Sequence, residues 1–351
     1  MSDDRAGAGR AGLSYRDAGV DLDAANRAKA RLAELVASTR DRNTLSEVGA
    51  FGGLYAVPDD VEAPVLVASA DGAGTKLKVA FLSGVHDSVG EDLVNHCVND
   101  ILVQGARPLF FLDYLACGEM EESVVAEVVS GIARGCRANR CSLLGGETAQ
   151  MPGFYAPGEY DLAGFVVGVV PRGQILDGSL VEPGDVLLAL ASSGLHTNGY
   201  SLAREVVFGR MGLTVDDELP GVGESVGHAL LRVHRSYLDS LLPLVSQGRL
   251  HALAHITGGG IPGNLPRVLD DGLGAVVRRS TWEVPALFRV LQEGGGIDLT
   301  EMDRVFNMGV GMIAIAAADQ AAHVLSTLRD AGEDAWVLGE VTDEPGVRYE
   351  P

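Results

Sequence analysis

The hexapeptide Asp71-Gly72-Ala73-Gly74-Thr75-Lys76 sets a carboxylate, a hydroxyl and an ammonium around two glycines. A carboxylate suits a hard cation such as Mg²⁺, an ammonium is a point charge for phosphate, and glycine lets backbone N–H groups come close to either. The segment follows the apolar, β-branched run Val65–Ser69, so it sits where a strand gives way to a turn. An ordinary strand-to-helix turn carrying a surface lysine would have the same composition. It is not a Walker A loop, because no glycine in the chain directly precedes a lysine, and it is not G-x-G-x-x-G.

Four other polar segments interrupt the apolar pattern. Gly49-Ala50-Phe51-Gly52-Gly53 can present backbone N–H groups to phosphate oxygens or simply turn the chain. Asn95-His96 and Asn99-Asp100 recur at i and i+4 on one expected helix, away from its apolar stripe, so the strip faces either water or a site. Gly145-Gly146-Glu147-Thr148 comes after the apolar run Cys141–Leu144, where the strand is expected to stop. Asp71, Asp100 and Glu147 form the trio expected to converge on one hard cation. In the second half, Ser193–Ser201 and Thr257–Gly260 each precede a helix, whose free N–H groups favour a phosphate. His196 and His255 suit an acid, a base or a phosphate contact, and equally a hydrogen-bonded structural role.

Helices are expected over Asp23–Thr39, over Glu91–Gln104 behind a Ser88–Glu91 capping box, along the stripe Val124, Val128, Ile132 and Cys136, and from Ser201. Others are expected near Glu224–Ser246, over Ile261–Leu269 and over Gln320–Ala331. Strands are expected at Leu109–Ala116, Leu162–Val170, Val186–Ala191, Gly274–Val277, Gly311–Ala317 and Ala335–Val341. Met1–Gly12 reads as a mobile tail. Pro171-Arg172-Gly173 is the expected boundary between domains 1–171 and 172–351 of an α/β (α+β) protein.

The chain's 351 residues suffice for two ordinary domains. Its formal charge of −21 repels a phosphate backbone, so no nucleic-acid partner is expected, while a small phosphorylated substrate can still bind where Mg²⁺ or local cations reverse the field. Met1–Ser14 lacks an apolar signal core and no apolar run spans a bilayer, so the expectation is a cytoplasmic protein without a membrane partner. Cys97, Cys117, Cys136 and Cys141 lack zinc-site spacing and read as reduced, buried thiols.

Taken in order, the segments closely resemble the aminoimidazole ribonucleotide synthetase (phosphoribosylformylglycinamidine cyclo-ligase) family. The resemblance runs through Leu13–Asp21, Gly52–Leu54, Asp71–Lys76, Cys97–Asp100, Gly105-Ala106 and Pro108–Tyr114. It continues through Gly145–Ala149, Met151–Gly153, Tyr160–Gly164, His196–Leu202, His255–Gly260 and Phe306–Met312. One departure is Ala70, where the family usually has Thr. The resemblance implies an ATP- and Mg²⁺-dependent ligase of purine synthesis acting on a phosphoribosylated amidine. It also implies a homodimer whose N-terminal domains share a β-barrel, each followed by a C-terminal α/β domain. Within that frame Asp71, Asp100 and Glu147 go to the metal. Gly52, Gly53, Gly72, Gly74, Thr75, Lys76, Gly145, Gly146 and Thr148 go to ATP, its phosphates above all. Thr197 and Thr257, Gly258 and Gly259 go to phosphate or substrate, and His196, Asn198 and His255 are the catalytic candidates. Selenophosphate synthetase, a related ATP enzyme, carries a reactive Cys near its N-terminus, and no Cys precedes Cys97 here.

Overall fold

The computed structural model describes residues 32–47 and 49–351. Met1–Gly12, Leu13–Asp21 and most of the expected Asp23–Thr39 helix lie outside the described residues, and helix α1 (residues 32–37) is the part of that helix within them. Strands β1 (Pro64–Gly72), β2 (Arg107–Cys117), β3 (Ser142–Gln150) and β4 (Tyr160–Pro171) form one sheet in the order β1-β4-β2-β3. Strand β4 is antiparallel to both neighbours, and β2 and β3 run parallel. Side chains alternate across the sheet with period two. Val65, Val67, Ser69 and Asp71 of β1 therefore share the inner face, while Leu66, Ala68 and Ala70 point outward and are exposed.

The inner face is covered by α3 (Asp87–Leu102) and α4 (Glu122–Ala138). Leu93, Val94, Val98, Ile101 and Leu102 of α3 are fully buried, each worth about 1.5–3 kcal/mol relative to exposure. The two helices touch closely because a Cβ on Gly90 would lie 2.1 Å from the Val128 carbonyl oxygen and one on Gly131 only 1.8 Å from that of Asp87. The expected capping box does not form. The side chain of His86, the N-cap, makes no capping bond, Ser88 Oγ is buried without a partner, and Glu91 turns to Arg134 Nε at 2.5 Å.

Strands β5 (Val186–Ala191), β6 (Ala252–His255), β7 (Gly274–Arg278), β8 (Val310–Ala316), β9 (Ala335–Thr342) and β10 (Gly346–Glu350) form a second sheet, ordered β10-β7-β9-β5-β8-β6. Every residue of β8 is buried, as its unbroken apolar run requires. Helices α9 (Ala286–Gly295) and α10 (Leu299–Val305), with β6 and β10, are elements the sequence pattern did not reveal.

Two differences from expectation shape the site. Strand β3 does not stop at Gly145 but runs through Gly145–Thr148 to Gln150, because its parallel pairing with β2 continues there. The expected Glu224–Ser246 helix is broken into α6 (Val226–Leu231) and α7 (Leu238–Ser246). Between them Lys76 Nζ donates to the Arg232 carbonyl at 2.7 Å, and Asp92 Oδ1 accepts the His234 N–H at 2.7 Å. Those side chains take backbone groups that a continuous helix would pair internally. Among the described residues no helix is long and apolar enough to cross a membrane, and all four cysteines are buried and unpaired.

Candidate active site where the two sheets meet

Helix α3 carries Asp92, Asn95, His96, Asn99 and Asp100 on one strip, and that strip faces the second half of the chain rather than water. Asn95 Nδ2 donates to the His234 carbonyl at 2.7 Å. Asn99 accepts the Tyr237 N–H at 3.1 Å and donates to the Arg235 carbonyl at 2.8 Å, which fixes its amide orientation. The break between α6 and α7 is thus stitched onto α3.

Asp71 leaves the end of β1 and meets His96, with Oδ2 2.7 Å from Nε2. Asp100, one turn after His96, lies 3.7 Å from the same Nε2, accepts from Ser69 Oγ at 3.2 Å and meets His255 Nδ1 at 2.8 Å. Burial by itself would raise both carboxyls. His96 holds Asp71 below the usual range, and His255 does the same for Asp100. His96 moves upward, since Asp71 and Asp100 outweigh the effect of its burial. His255 moves downward because its burial outweighs Asp100.

His255 Nε2 lies 3.0 Å from His234 Nε2, and Thr197 Oγ1 bridges His96 Nδ1 at 2.6 Å and His234 Nδ1 at 3.3 Å. The result is a closed polar ring of His96, Thr197, His234, His255 and Asp100, with Asp71 joined to it at His96. Both sheets' loops contribute to it. Burial drives His196 and His234 well below their ordinary values, so both are neutral.

His196 is a core residue of its loop. Its Nε2 accepts the Ser193 N–H at 3.2 Å, its ring stacks on His234 at 4.0 Å, and its Nδ1 is buried without a partner. Asn198 Oδ1 accepts the Gly258 N–H and so ties the Ser193–Ser201 loop to Thr257–Gly259. Thr257 Oγ1 donates to Asn264 at 3.2 Å, and Thr75 Oγ1 lies 3.1 Å from Ser201 Oγ. Gly72, Gly74 and Thr75 are exposed beside Asp71, where a ligand can reach their backbone.

Lys76 and six other expected site members are placed differently within this chain. Lys76 is not a free cation for phosphate: it is fully buried, 2.7 Å from Asp92, and donates to two carbonyls. Glu147 does not join Asp71 and Asp100. Asp71 pairs with Gly164, Gly164 with Asp113 and Asp113 with Gly146, so Glu147 projects from the opposite face, three strands or about 14 Å away. Gly145, Gly146 and Thr148 go with it, as do Gly52 and Gly53, since a Cβ on Gly53 would strike Leu144 of β3. Residue 70 faces outward, so a hydroxyl in place of Ala70 would point away from Asp71 and Asp100.

Sequence reasoning gave no role to Asp92 or His234. Asp92, His96 and Asp100 recur every four residues, a signal that was available. His234 between Arg232 and Arg235 looks like an exposed charged stretch and gives none.

Residues 54–170 match the model of the AIR synthase related protein N-terminal domain, and residues 182–350 match that of its C-terminal domain. The fold is shared with thiamine-monophosphate kinase from Stenotrophomonas maltophilia K279a, at TM-score 0.65 and 20% identity over 94% of this chain and 96% of that one. The hydrogenase maturation protein HypE, solved in complex with ATP, superposes with TM-score 0.67 at 20% identity over 93% and 88% of the two chains. The two domains are those of the AIR synthase related class. A phosphoribosylformylglycinamidine cyclo-ligase from Sorangium cellulosum (strain So ce56) is 51% identical over 96% of this chain and 98% of its own. One from Trichlorobacter lovleyi is 50% identical over 93% and 94%. The chain belongs to the phosphoribosylformylglycinamidine cyclo-ligase family, the ligases that form aminoimidazole ribonucleotide in purine biosynthesis.

Proposed function

We propose that the polar ring between the sheets is where ATP, Mg²⁺ and formylglycinamidine ribonucleotide meet. The observation that carries this is the pair Asp71 and Asp100, two carboxylates kept ionised by His96 and His255 and still partly open to solvent. Ionised oxygen donors are what Mg²⁺ takes, and bound Mg²⁺ supplies charge neutralisation for phosphoryl transfer. The chain's own groups do the rest. His96 and His255 orient the two carboxylates, as outer hydrogen-bond partners of ligands do. Exposed backbone at Gly74 and Thr75 lies at the rim for phosphate oxygens.

Ring closure requires loss of the formamide oxygen, a poor leaving group. Transfer of the ATP γ-phosphoryl to that oxygen lets it depart as phosphate when the amidine nitrogen attacks the carbon, giving aminoimidazole ribonucleotide, ADP and phosphate. Positioning and electrostatics dominate such a step. His255 is the histidine best placed to hold or move a proton there, since Asp100 orients its Nδ1. His196 and Asn198 shape the loop that meets the substrate.

The division at 171/172 assigns ATP, metal and dimerisation to the first part and substrate loops to the second. A homodimer is supported by the outward face of the first sheet, where Leu66, Ala68, Ala70, Phe165, Val167 and Leu112 lie together. A barrel shared between two copies would cover that apolar face and the free edges of β1 and β3. The site of action is the cytoplasm. Purified protein mixed with formylglycinamidine ribonucleotide, ATP and Mg²⁺ should yield aminoimidazole ribonucleotide with one ADP per product. ATP-independent or absent product sinks the assignment, and sedimentation as an active monomer at micromolar concentration sinks the dimer.

A further inference from the structure

Lys76 and Asp92 are both fully buried, with Nζ 2.7 Å from Oδ2. An ammonium has three N–H groups, and three acceptors surround this one: Asp92 Oδ2, the Arg232 carbonyl at 2.7 Å and the His196 carbonyl at 3.1 Å. No donor is left for a phosphate. Asp92 uses its other oxygen, Oδ1, to accept the His234 N–H at 2.7 Å.

We propose that this ion pair is a positioning clamp for the catalytic loops, joining four segments from both halves of the chain. Lys76 lies on the turn that begins with Asp71, and Asp92 lies on α3 two turns before Asp100. Their partners are the carbonyl just before Thr197 and the backbone of residues 232–234. Thr197 and His234 are the members of the polar ring that reach across to His96 and His255. The pair therefore sets the distance between the Asp71–Asp100 carboxylates and the loop that carries Thr197 and Asn198. Tyr200 reinforces it, donating to the His196 carbonyl at 3.2 Å and the Leu230 carbonyl at 2.5 Å. The clamp rests on the cyclo-ligase function of the site, and it gives the lysine of the Asp71–Lys76 turn a role that does not involve touching ATP.

The test removes both charges together, because either one alone strands its partner in the core. Lys76→Met/Asp92→Leu should melt close to wild type and bind an ATP analogue within about threefold by calorimetry. A shifted loop misplaces reacting groups without removing them, so kcat should fall on the order of 10²-fold while KM for ATP stays within about threefold. Wild-type kcat in the folded double variant would show that the pair only packs. A loss confined to KM for ATP would return Lys76 to the phosphate. If the double variant does not fold, Lys76→Gln/Asp92→Asn carries the test, since it removes both charges together and keeps both shapes. It should lose roughly tenfold in kcat with KM for ATP unchanged, and wild-type kcat or a raised KM for ATP would overturn the clamp. Wild-type protein without cyclo-ligase turnover would sink the proposed function instead, and the clamp would then be read from amide hydrogen exchange in residues 193–201 and 232–237, faster in the folded double variant if the pair holds these loops and unchanged if it does not.

Discussion

On one side of the first sheet, Asp71 and Asp100 sit among polar groups drawn from β1, α3, β6, the 193–201 loop and the 232–237 break. On the far edge, Gly52, Gly53, Gly145, Gly146 and Glu147 lie on or beside β3, and most of them are exposed. Only the first group is cross-linked. Each carboxylate there has a buried histidine as partner, and each histidine is itself held from a second direction. At the β3 edge, Asp113 is the buried carboxyl, and the neighbour that its surroundings bring to it is the like-charged Glu147. Chemistry-bearing residues become a site when separate elements converge on them and orient them, and the two regions differ in that respect.

The largest expected effect breaks the first region. Asp100→Asn keeps the shape of a residue that accepts from Ser69 and meets His255, but removes the charge that both His255 and a bound cation require. Turnover should fall on the order of 10²-fold or more, with a raised Mg²⁺ requirement and a nearly unchanged melt. A Mg²⁺ titration of initial rates on both proteins checks it. Wild-type rates at limiting Mg²⁺ would remove Asp100 from the metal site.

Much of this contrast was legible in the sequence, and the part that was not has identifiable causes. Strand-end carboxylates and i, i+4 polar pairs depend on local periodicity, so Asp71, Asp100 and their elements could be read directly. The strand order β1-β4-β2-β3 could not. It arises from long-range pairing, and it puts Glu147 three strands away from Asp71 on the other face. Lys76 misled for a related reason. A lysine after two glycines looks solvated until the fold surrounds it with Asp92 and two carbonyls supplied from more than a hundred residues further on. The helix break at residues 232–237 was invisible because its cause lies in α3 and the Asp71–Lys76 turn, not in its own composition.

A smaller effect sharpens the account of the β3 edge. A Cβ on Gly146 would lie 2.2 Å from Asp113 Oδ1 and 2.6 Å from its carbonyl oxygen, so one neighbour is backbone and cannot swing away. Gly146→Ala should cost about 1–3 kcal/mol of stability, as overpacking does. Denaturant unfolding measures it. Unchanged stability would mean that β2 and β3 are less closely joined there than the pairing implies.

The smallest effect concerns Asp113 and depends on pH. Burial, with Glu147's charge adding to it, pushes this carboxyl from its ordinary value to about 7. A carboxyl that holds its proton more tightly when folded favours the fold while protonated. That stability is fully present below the unfolded value near 3.9 and is lost as pH rises through about 7. At about 1.4 kcal/mol per pH unit, raising the pH from about 5.5 to about 7.5 should remove about 2 kcal/mol from this source. Asp113→Asn keeps the neutral shape at every pH, so the variant should melt near wild type at about pH 4 and increasingly above it as pH rises toward about 7. Parallel thermal melts across that range decide the matter. Coincident curves for the two proteins would show that Asp113 titrates normally, and that the β3 edge holds a solvated carboxylate where the fold places a buried one.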